Sequence, residues 1–420
     1  MKLIEELKER GLIDALTDPA IAEALDSPVT LYCGFDPSAR SLQAGNLVSI
    51  MVLRRFQQAG HKVIALVGGA TGLIGDPSGK SAERNMLTVE QVAENKKGIR
   101  ENLSRILDFD GPNPAVMVDN YDWYSGTSAI EFLRDIAINF RVPQMLAKES
   151  VKKRLEASEG ALTFTEFSYQ ILQGNDFLHL FDSYGCTLEV GGADQWGNIT
   201  AGTDLVHRMR GKTAFGLTFP LLLDSTGRKF GKSEGNALFL DASMTSEYDW
   251  YQYFLRAADA DVIRYLKVFS MRRSLDEIAE LEAQMKANPE ARIPQKALAE
   301  ELTRLVHGEE GLKKALGATQ TLFGGDVTGR SAAELETIFK DVKSAEMPKA
   351  EVVGRSVWAV AAAAGMFKSN GEARRMAAQG GLSLNGAKVD DRRVFDEADL
   401  IDGRVAILRQ GKKNNFLIKV

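Results

Sequence analysis

A chain of 420 residues with 44% hydrophobic and 26% charged side chains has the composition of a soluble globular protein with material for two to four domains. Its net charge of −5 argues against a uniformly basic nucleic-acid binder, and no apolar run approaches the length needed to cross a membrane. Two cysteines, Cys33 and Cys186, stand far apart without metal-type neighbours, which argues against a disulfide framework and a zinc site.

The start, Met1 to Lys8, reads as an amphipathic charged helix rather than a signal peptide, so a cytoplasmic location is expected. From Thr30 an apolar strand runs through Leu31-Tyr32-Cys33-Gly34-Phe35 into the turn residues Asp36-Pro37-Ser38. A helix is predicted from about Leu47 to Gln58, closed by Gly60, and Lys62 to Val67 forms a second buried strand that enters Gly68-Gly69-Ala70-Thr71-Gly72. This βαβ unit implies a doubly wound, Rossmann-like α/β domain whose ligands bind beyond the carboxyl ends of parallel strands. Further on, Ser274 to Glu277 is a capping box that opens a helix ending near Asn288-Pro289. The stripe Leu298, Leu302, Leu305, Val306 predicts another helix, stopped by Gly308. The expected division is an α/β domain over 1–219, an α-helical domain over 220–322, a linker over 323–350 and a small α+β domain over 351–420. Residues 351–420 hold 12 Lys and Arg against 8 Asp and Glu, a local net of +4 that leaves −9 on the preceding 350 residues. A basic tail on an acidic body suggests a polyanionic partner for the tail.

Five segments carry chemistry. Lys229-Phe230-Gly231-Lys232-Ser233 places two lysines three apart around a glycine, suited to close on a departing polyphosphate. Gly34, Asp36, Ser38 and Gln43-Ala44-Gly45-Asn46 bring donors to a strand end and a helix start, a natural seat for phosphate. The glycine-rich stretch Gly72 to Lys80, with Arg84 behind it, adds cations, and Asp76 within it is a carboxylate suited to an ammonium group. Tyr169, Gln173 and Asp176 fall at i, i+4 and i+7 of a predicted helix, and such a polar face costs stability in a core but serves a pocket. Finally, Gly191-Gly192-Ala193-Asp194-Gln195 brings backbone close to a ligand beside two polar side chains.

Together, Leu31 to Pro37, Gly68 to Arg84, Phe167 to Asp176, Gly191 to Ile199 and Lys229 to Ser233 resemble the bacterial tyrosyl-tRNA synthetases, members of the class I aminoacyl-tRNA synthetases, over nearly the whole chain. The resemblance implies that ATP and tyrosine give tyrosyl-adenylate and pyrophosphate, after which the tyrosyl group moves to the 3′ end of tRNA(Tyr). It implies that Tyr32 and Asp176 contact the substrate phenol, that Asp76, Tyr169 and Gln173 hold its ammonium, and that Gln195 lies on its carboxylate side. Cys33, Gly34, Asp36, Gly45, Asn46, Gly192 and Asp194 would face ATP, and Ser38, Gln43, Lys80, Arg84, Lys229 and Lys232 its phosphates. ATP would arrive with Mg²⁺ and without a protein metal site. The helical domain would recognise the anticodon. The tail resembles a small RNA-binding fold, with Arg374, Arg375, Lys388, Arg392, Arg393, Lys412 and Lys413 as phosphate contacts. A homodimer is implied by analogy.

One departure matters. Class I enzymes carry a His-x-Gly-His signature where this chain has Gln43-Ala44-Gly45-Asn46, and His61, His179, His207 and His307 all lie elsewhere. Primary amides also donate hydrogen bonds, so the role can survive with a loss of roughly 1.5–3 kcal/mol at most. Asn175, beside Asp176, is a smaller departure. Two rivals remain at this level: a catalytically weakened relative that keeps RNA binding, and a tryptophan ligase of the same architecture, against which Tyr32 and Asp176 argue.

Overall fold

The computed structural model describes the chain except residues 1, 79–85, 157–161, 234–235, 323–326, 328, 341 and 412–413. Packing divides it at Gly308 into two compact units, residues 1–308 and 309–420.

The first unit is built on a six-stranded sheet of β1 (Ala15–Leu16), β2 (Thr30–Phe35), β3 (Lys62–Val67), β4 (Val116–Asp119), β5 (Cys186–Gly192) and β6 (Phe215–Phe219), in the order β1-β6-β5-β2-β3-β4. All neighbours are parallel except the short β1 at the edge. In β3 the five residues after Lys62 are buried, as expected of a strand covered on both faces. The order reverses between β2 and β5, so their carboxyl ends diverge and leave a crevice, where doubly wound sheets bind ligands.

Helices flank that crevice. α1 (Leu47–Gln58) follows a 3₁₀ turn at Ala44–Asn46 and buries most of its surface. α2 (Val89–Ile106) opens on a Thr88–Gln91 capping box. α3 (Phe164–Tyr184) opens on a Thr163–Glu166 capping box and closes at Gly185 in the left-handed conformation. α4 (Trp196–Arg210) packs closely on α3, because Gly202 carries no side chain: a Cβ there would lie 2.9 Å from the Phe177 ring.

After β6, helices α5 (Glu247–Leu255), α6 (Asp259–Phe269) and α7 (Leu275–Ala287) follow in the same compact unit. Arg10 and Arg55 account for this, since their guanidinium groups reach the carbonyls that end α6, including Lys267 O at 3.1 Å and Ser270 O at 2.6 Å. The next helix, α8 (Ile293–Leu322), differs from its predicted end. Gly308, at φ 71° and ψ −176°, interrupts it, but the chain resumes helical geometry because Leu312, Ala315 and Ala318 continue the apolar spacing and are buried.

The second unit holds a five-stranded sheet of β7 (Ser344–Glu346), β8 (Leu382–Leu384), β9 (Ala387–Val389), β10 (Val405–Gln410) and β11 (Asn414–Lys419), ordered β9-β8-β10-β11-β7. Val357–Ala363 and Asn370–Ala378 are helices that pack against it around Val357, Val360, Ala373, Leu382, Leu408 and Phe416.

Candidate active site

Seventeen of the residues predicted for the site line one cavity of about 370 Å³ at the diverging ends of β2 and β5. They are Tyr32, Cys33, Gly34, Asp36, Ser38, Gln43, Gly45, Asn46, Asp76, Tyr169, Gln173, Asp176, Gly192, Asp194, Gln195, Lys229 and Lys232. The volume falls in the range of small-molecule pockets, about 300–1,000 Å³. Lys80 and Arg84 lie outside the described residues.

The inner end is built by α3, whose helical repeat turns Tyr169, Gln173 and Asp176 toward the sheet. Asp176 is 2% exposed; Asn120 Nδ2 donates to one of its oxygens at 3.0 Å and Trp123 Nε1 to the other at 2.9 Å. Burial pushes its carboxyl up to about 7, opposed by those donors. Across from it, Tyr32 is 1% exposed and its hydroxyl has no hydrogen-bond partner among the described residues. Burial, and then the Glu189 and Asp176 carboxylates, hold the Tyr32 phenol well above its ordinary range, so it stays a donor.

Toward the middle, the Tyr169 hydroxyl donates to Asp36 Oδ2 at 2.7 Å while Thr71 Oγ1 donates to Asp36 Oδ1 at 2.7 Å. Asn120 Nδ2 also reaches Thr71 Oγ1 at 2.9 Å, which joins this pair to Asp176 through shared donors. Asp76 accepts from Ser78 N at 2.9 Å and from Gln195 Nε2 at 2.7 Å. Asp194 sits with Gln195 in the 3₁₀ turn that leads into α4, and its carboxyl is raised by burial and by Asp76.

The outer rim joins two signature segments. Ala44 N donates to Leu238 O at 2.8 Å, and Gln43 bridges to Phe239. Asn46 Oδ1 accepts from Gln43 N at 3.0 Å, which leaves the Asn46 amide nitrogen as that side chain's donor. Against this turn lies the lysine loop. Phe230, 5% exposed, anchors it among Tyr253, Phe254, Tyr265 and Phe269, with ring centroids 5.0–6.0 Å apart. Gly231 donates its N–H to the Tyr253 hydroxyl at 2.8 Å and has φ 80°. A Cβ there would stand 2.9 Å from Ala44 Cβ and 3.1 Å from Gly45 N, so only glycine fits without a shift. Lys229 and Lys232 are left exposed at the cavity mouth.

Three residues of this network escape the motifs: Asn120, Trp123 and Glu189. The available signal was the apolar run that ends β4 in the polar pair Asp119-Asn120, another strand terminus on the ligand side of the sheet. Asn175 turns away from the cavity and donates to Tyr124 Oη at 3.1 Å, which in turn donates to Leu172 O at 2.8 Å. In the second unit, Arg374, Arg375, Lys388, Arg392 and Arg393 are exposed. Arg374 pairs with Asp391 at 3.1 Å and Arg393 with Asp399 at 2.7 Å. Lys412 and Lys413 lie outside the described residues.

A parallel sheet with its crevice at the switch point, an amide-bearing turn at the head of α1 and a lysine loop packed on that turn define a class I aminoacyl-tRNA synthetase. The family model "tRNA synthetases class I (W and Y)" matches residues 24–324, and that of the "Tyrosine--tRNA ligase SYY-like C-terminal domain" matches 334–418. The tyrosine-tRNA ligase of Rhodopirellula baltica is 48% identical over all of this chain and 96% of its own length, and that of Bacillus caldotenax is 46% identical over the whole of both chains. Among solved structures, a C-terminally truncated mitochondrial tyrosyl-tRNA synthetase of Aspergillus nidulans superposes with a TM-score of 0.68 at 30% identity, over 77% of this chain and 94% of its own. The chain belongs to the tyrosine-tRNA ligase family.

Proposed function

We propose that the cavity binds tyrosine at its inner end and ATP toward its mouth, and that the chain joins tyrosine to tRNA(Tyr) through tyrosyl-adenylate. The observation that carries this is the facing pair at the inner end: a buried, unpartnered Tyr32 hydroxyl and an Asp176 carboxylate held by two fixed donors. A substrate phenol satisfies both, donating to Asp176 and accepting from Tyr32. Phenylalanine leaves them unpaired in a dry site, at a cost of about 1–3 kcal/mol for each orphaned group. Tryptophan offers its N–H at a different height and cannot accept from Tyr32.

With the phenol seated there, the substrate ammonium falls among Asp76, Tyr169 and Gln173, and its carboxylate toward Gln195. ATP enters as its magnesium complex, with the ribose by Cys33, Gly34, Asn46, Gly192 and Asp194. Its phosphates lie along Asp36, Ser38, Gln43 and Gly45 under the lysine loop. A tyrosine carboxylate oxygen attacks the α-phosphorus, the bond to the bridging oxygen breaks, and pyrophosphate leaves with its charge met by Lys229 and Lys232, joined by Lys80 and Arg84. The terminal ribose hydroxyl of the tRNA then attacks the acyl carbon and AMP departs. Amides in place of signature histidines suffice, because these positions donate hydrogen bonds and transfer no proton.

The basic side chains of the second unit serve the tRNA backbone, and the helical region near the end of the first unit the anticodon. The chain works in the cytoplasm as a homodimer. An exposed apolar face supports the pairing: Phe164, Ile130, Ile138, Val142 and Leu133 are 74%, 70%, 63%, 55% and 52% exposed around an apolar hollow of about 750 Å³ lined by Leu133 and Phe164.

The test is tyrosine-dependent exchange of label between pyrophosphate and ATP. Exchange should be driven by tyrosine and not by tryptophan or phenylalanine, and Asp176→Asn should reduce tyrosine use at least about a hundredfold. A background rate with tyrosine in the wild-type protein would end this reading.

A further inference from the structure

Among the carboxyl groups that line the cavity, Glu189 belongs to no motif. It lies on β5, 2% exposed, directly across the parallel ladder from Tyr32, so the two side chains stand side by side on one face of the sheet. Glu189 Oε1 accepts from Gln173 Nε2 at 2.9 Å. Among the described residues neither Glu189 Oε2 nor Tyr32 Oη has a hydrogen-bond partner, and two adjacent buried orphans of this kind are costly unless something completes them. On α4, a Cβ added at Gly202 would stand 3.4 Å from Oε2 and offer it nothing polar.

We propose that Glu189 is a positioning residue for the substrate tyrosine, acting through Gln173 and Tyr32 and fixing the direction in which each presents its hydrogen bond. The inference rests on tyrosine as the substrate. With Gln173 Nε2 held by Glu189, the Gln173 amide oxygen is the atom left to accept from the substrate ammonium; the flipped amide would point a donor at a cation. On the other side, Glu189 as a neutral acid donates from Oε2 to Tyr32 Oη. Tyr32 then donates to the substrate phenol oxygen, whose own O–H donates to Asp176. All four groups are satisfied in one direction. As a carboxylate, Glu189 would instead take the Tyr32 proton and leave the phenol oxygen without a donor.

The surroundings favour the acid. Burial, and then the charge of Asp176 on α3, push the Glu189 carboxyl up to about 8 against the donor Gln173. Its other titratable neighbours are Cys33 on β2, raised to about 12 by burial, and Cys186 on its own strand, raised further; both stay thiols, and among the described residues no basic side chain acts on it.

The experiment measures tyrosine KM, ATP KM and kcat for pyrophosphate exchange from about pH 6 to about pH 9.5 with the full-length protein, Glu189→Gln and Glu189→Met. In the wild type, tyrosine KM should hold level to about pH 7 and then climb roughly tenfold through pH 8, while ATP KM and kcat stay level. Glu189→Gln can donate to Tyr32 and accept from Gln173 at every pH, so its profile, normalised to its own acid plateau, should lack that climb. Glu189→Met can do neither, and its tyrosine KM should be raised at all pH values. The substrate's own ammonium titrates in every sample and cancels in the comparison. Superimposable normalised profiles for wild type and Glu189→Gln would overturn the proposal, as would a climb confined to ATP KM or kcat. A wild type without tyrosine-dependent exchange at pH 7 would instead defeat the functional reading.

Discussion

Asp176 and Glu189 are carboxyl groups in one cavity whose neighbours hold them differently. Asp176 meets two fixed side-chain donors, Asn120 and Trp123, whereas Glu189, among the described residues, accepts from Gln173 alone. Both are raised by burial, to about 7 and about 8. For an acid whose folded pKa exceeds its unfolded value, about 4, the folded state binds the extra proton in between. Its contribution to stability is therefore complete below about pH 4 and is lost as pH rises through 7 to 8. The ligand-free protein should melt at a lower temperature at pH 8.5 than at pH 5, and Glu189→Gln should shrink that difference, as read by scanning calorimetry. Equal pH dependence in the two proteins would show that Glu189 is ionised on both sides of the interval. At this scale the sequence displayed those residues that belong to compact motifs, such as Asp76 or the Tyr169-Gln173-Asp176 triplet. Asn120, Trp123 and Glu189 stayed hidden because each is a single side chain in or just after a strand, and its meaning comes from partners 16 to 157 positions away.

Elements set how the rim works. The lysine loop is clamped on one side by Phe230 in its aromatic nest and on the other by the bare backbone of Ala44 and Gly45. Gly231→Ala has to pay twice, for φ 80° and for contacts near 3 Å, so the loop should lift from the Gln43–Asn46 turn and carry both lysines with it. The rate of adenylate formation should fall at least tenfold, about 1.4 kcal/mol, with tyrosine affinity unchanged because the inner pocket lies on other elements. Rapid-quench kinetics and equilibrium tyrosine binding decide it; a loss of tyrosine affinity would contradict a role confined to the rim. Periodicity made the helices legible, from Leu47–Gln58 to the capping box at Ser274, because each announces itself locally. What it could not show was the seat of the loop, which depends on rings at 253–269 and a turn at 43–46 meeting across some 200 residues. Gly308 is an intermediate case, correctly marked as a break but followed by further helix.

At the level of the whole molecule, the proposed homodimer would cover the exposed apolar face around Phe164. Phe164→Asp should weaken self-association at least about thirtyfold, seen as a shift to monomer in sedimentation velocity, since a charge would have to be buried in an apolar contact. An unaltered dimer would place the interface elsewhere. The strand order has a further consequence for how the molecule comes into being. Because β2 lies beside β5, residues near 32 await partners near 189, and since the rim reaches Lys232 the cavity cannot close until more than half of the chain has left the ribosome. Until then β2 and β3 present an unfinished apolar edge, and nascent polypeptide of this length needs shielding from its own kind.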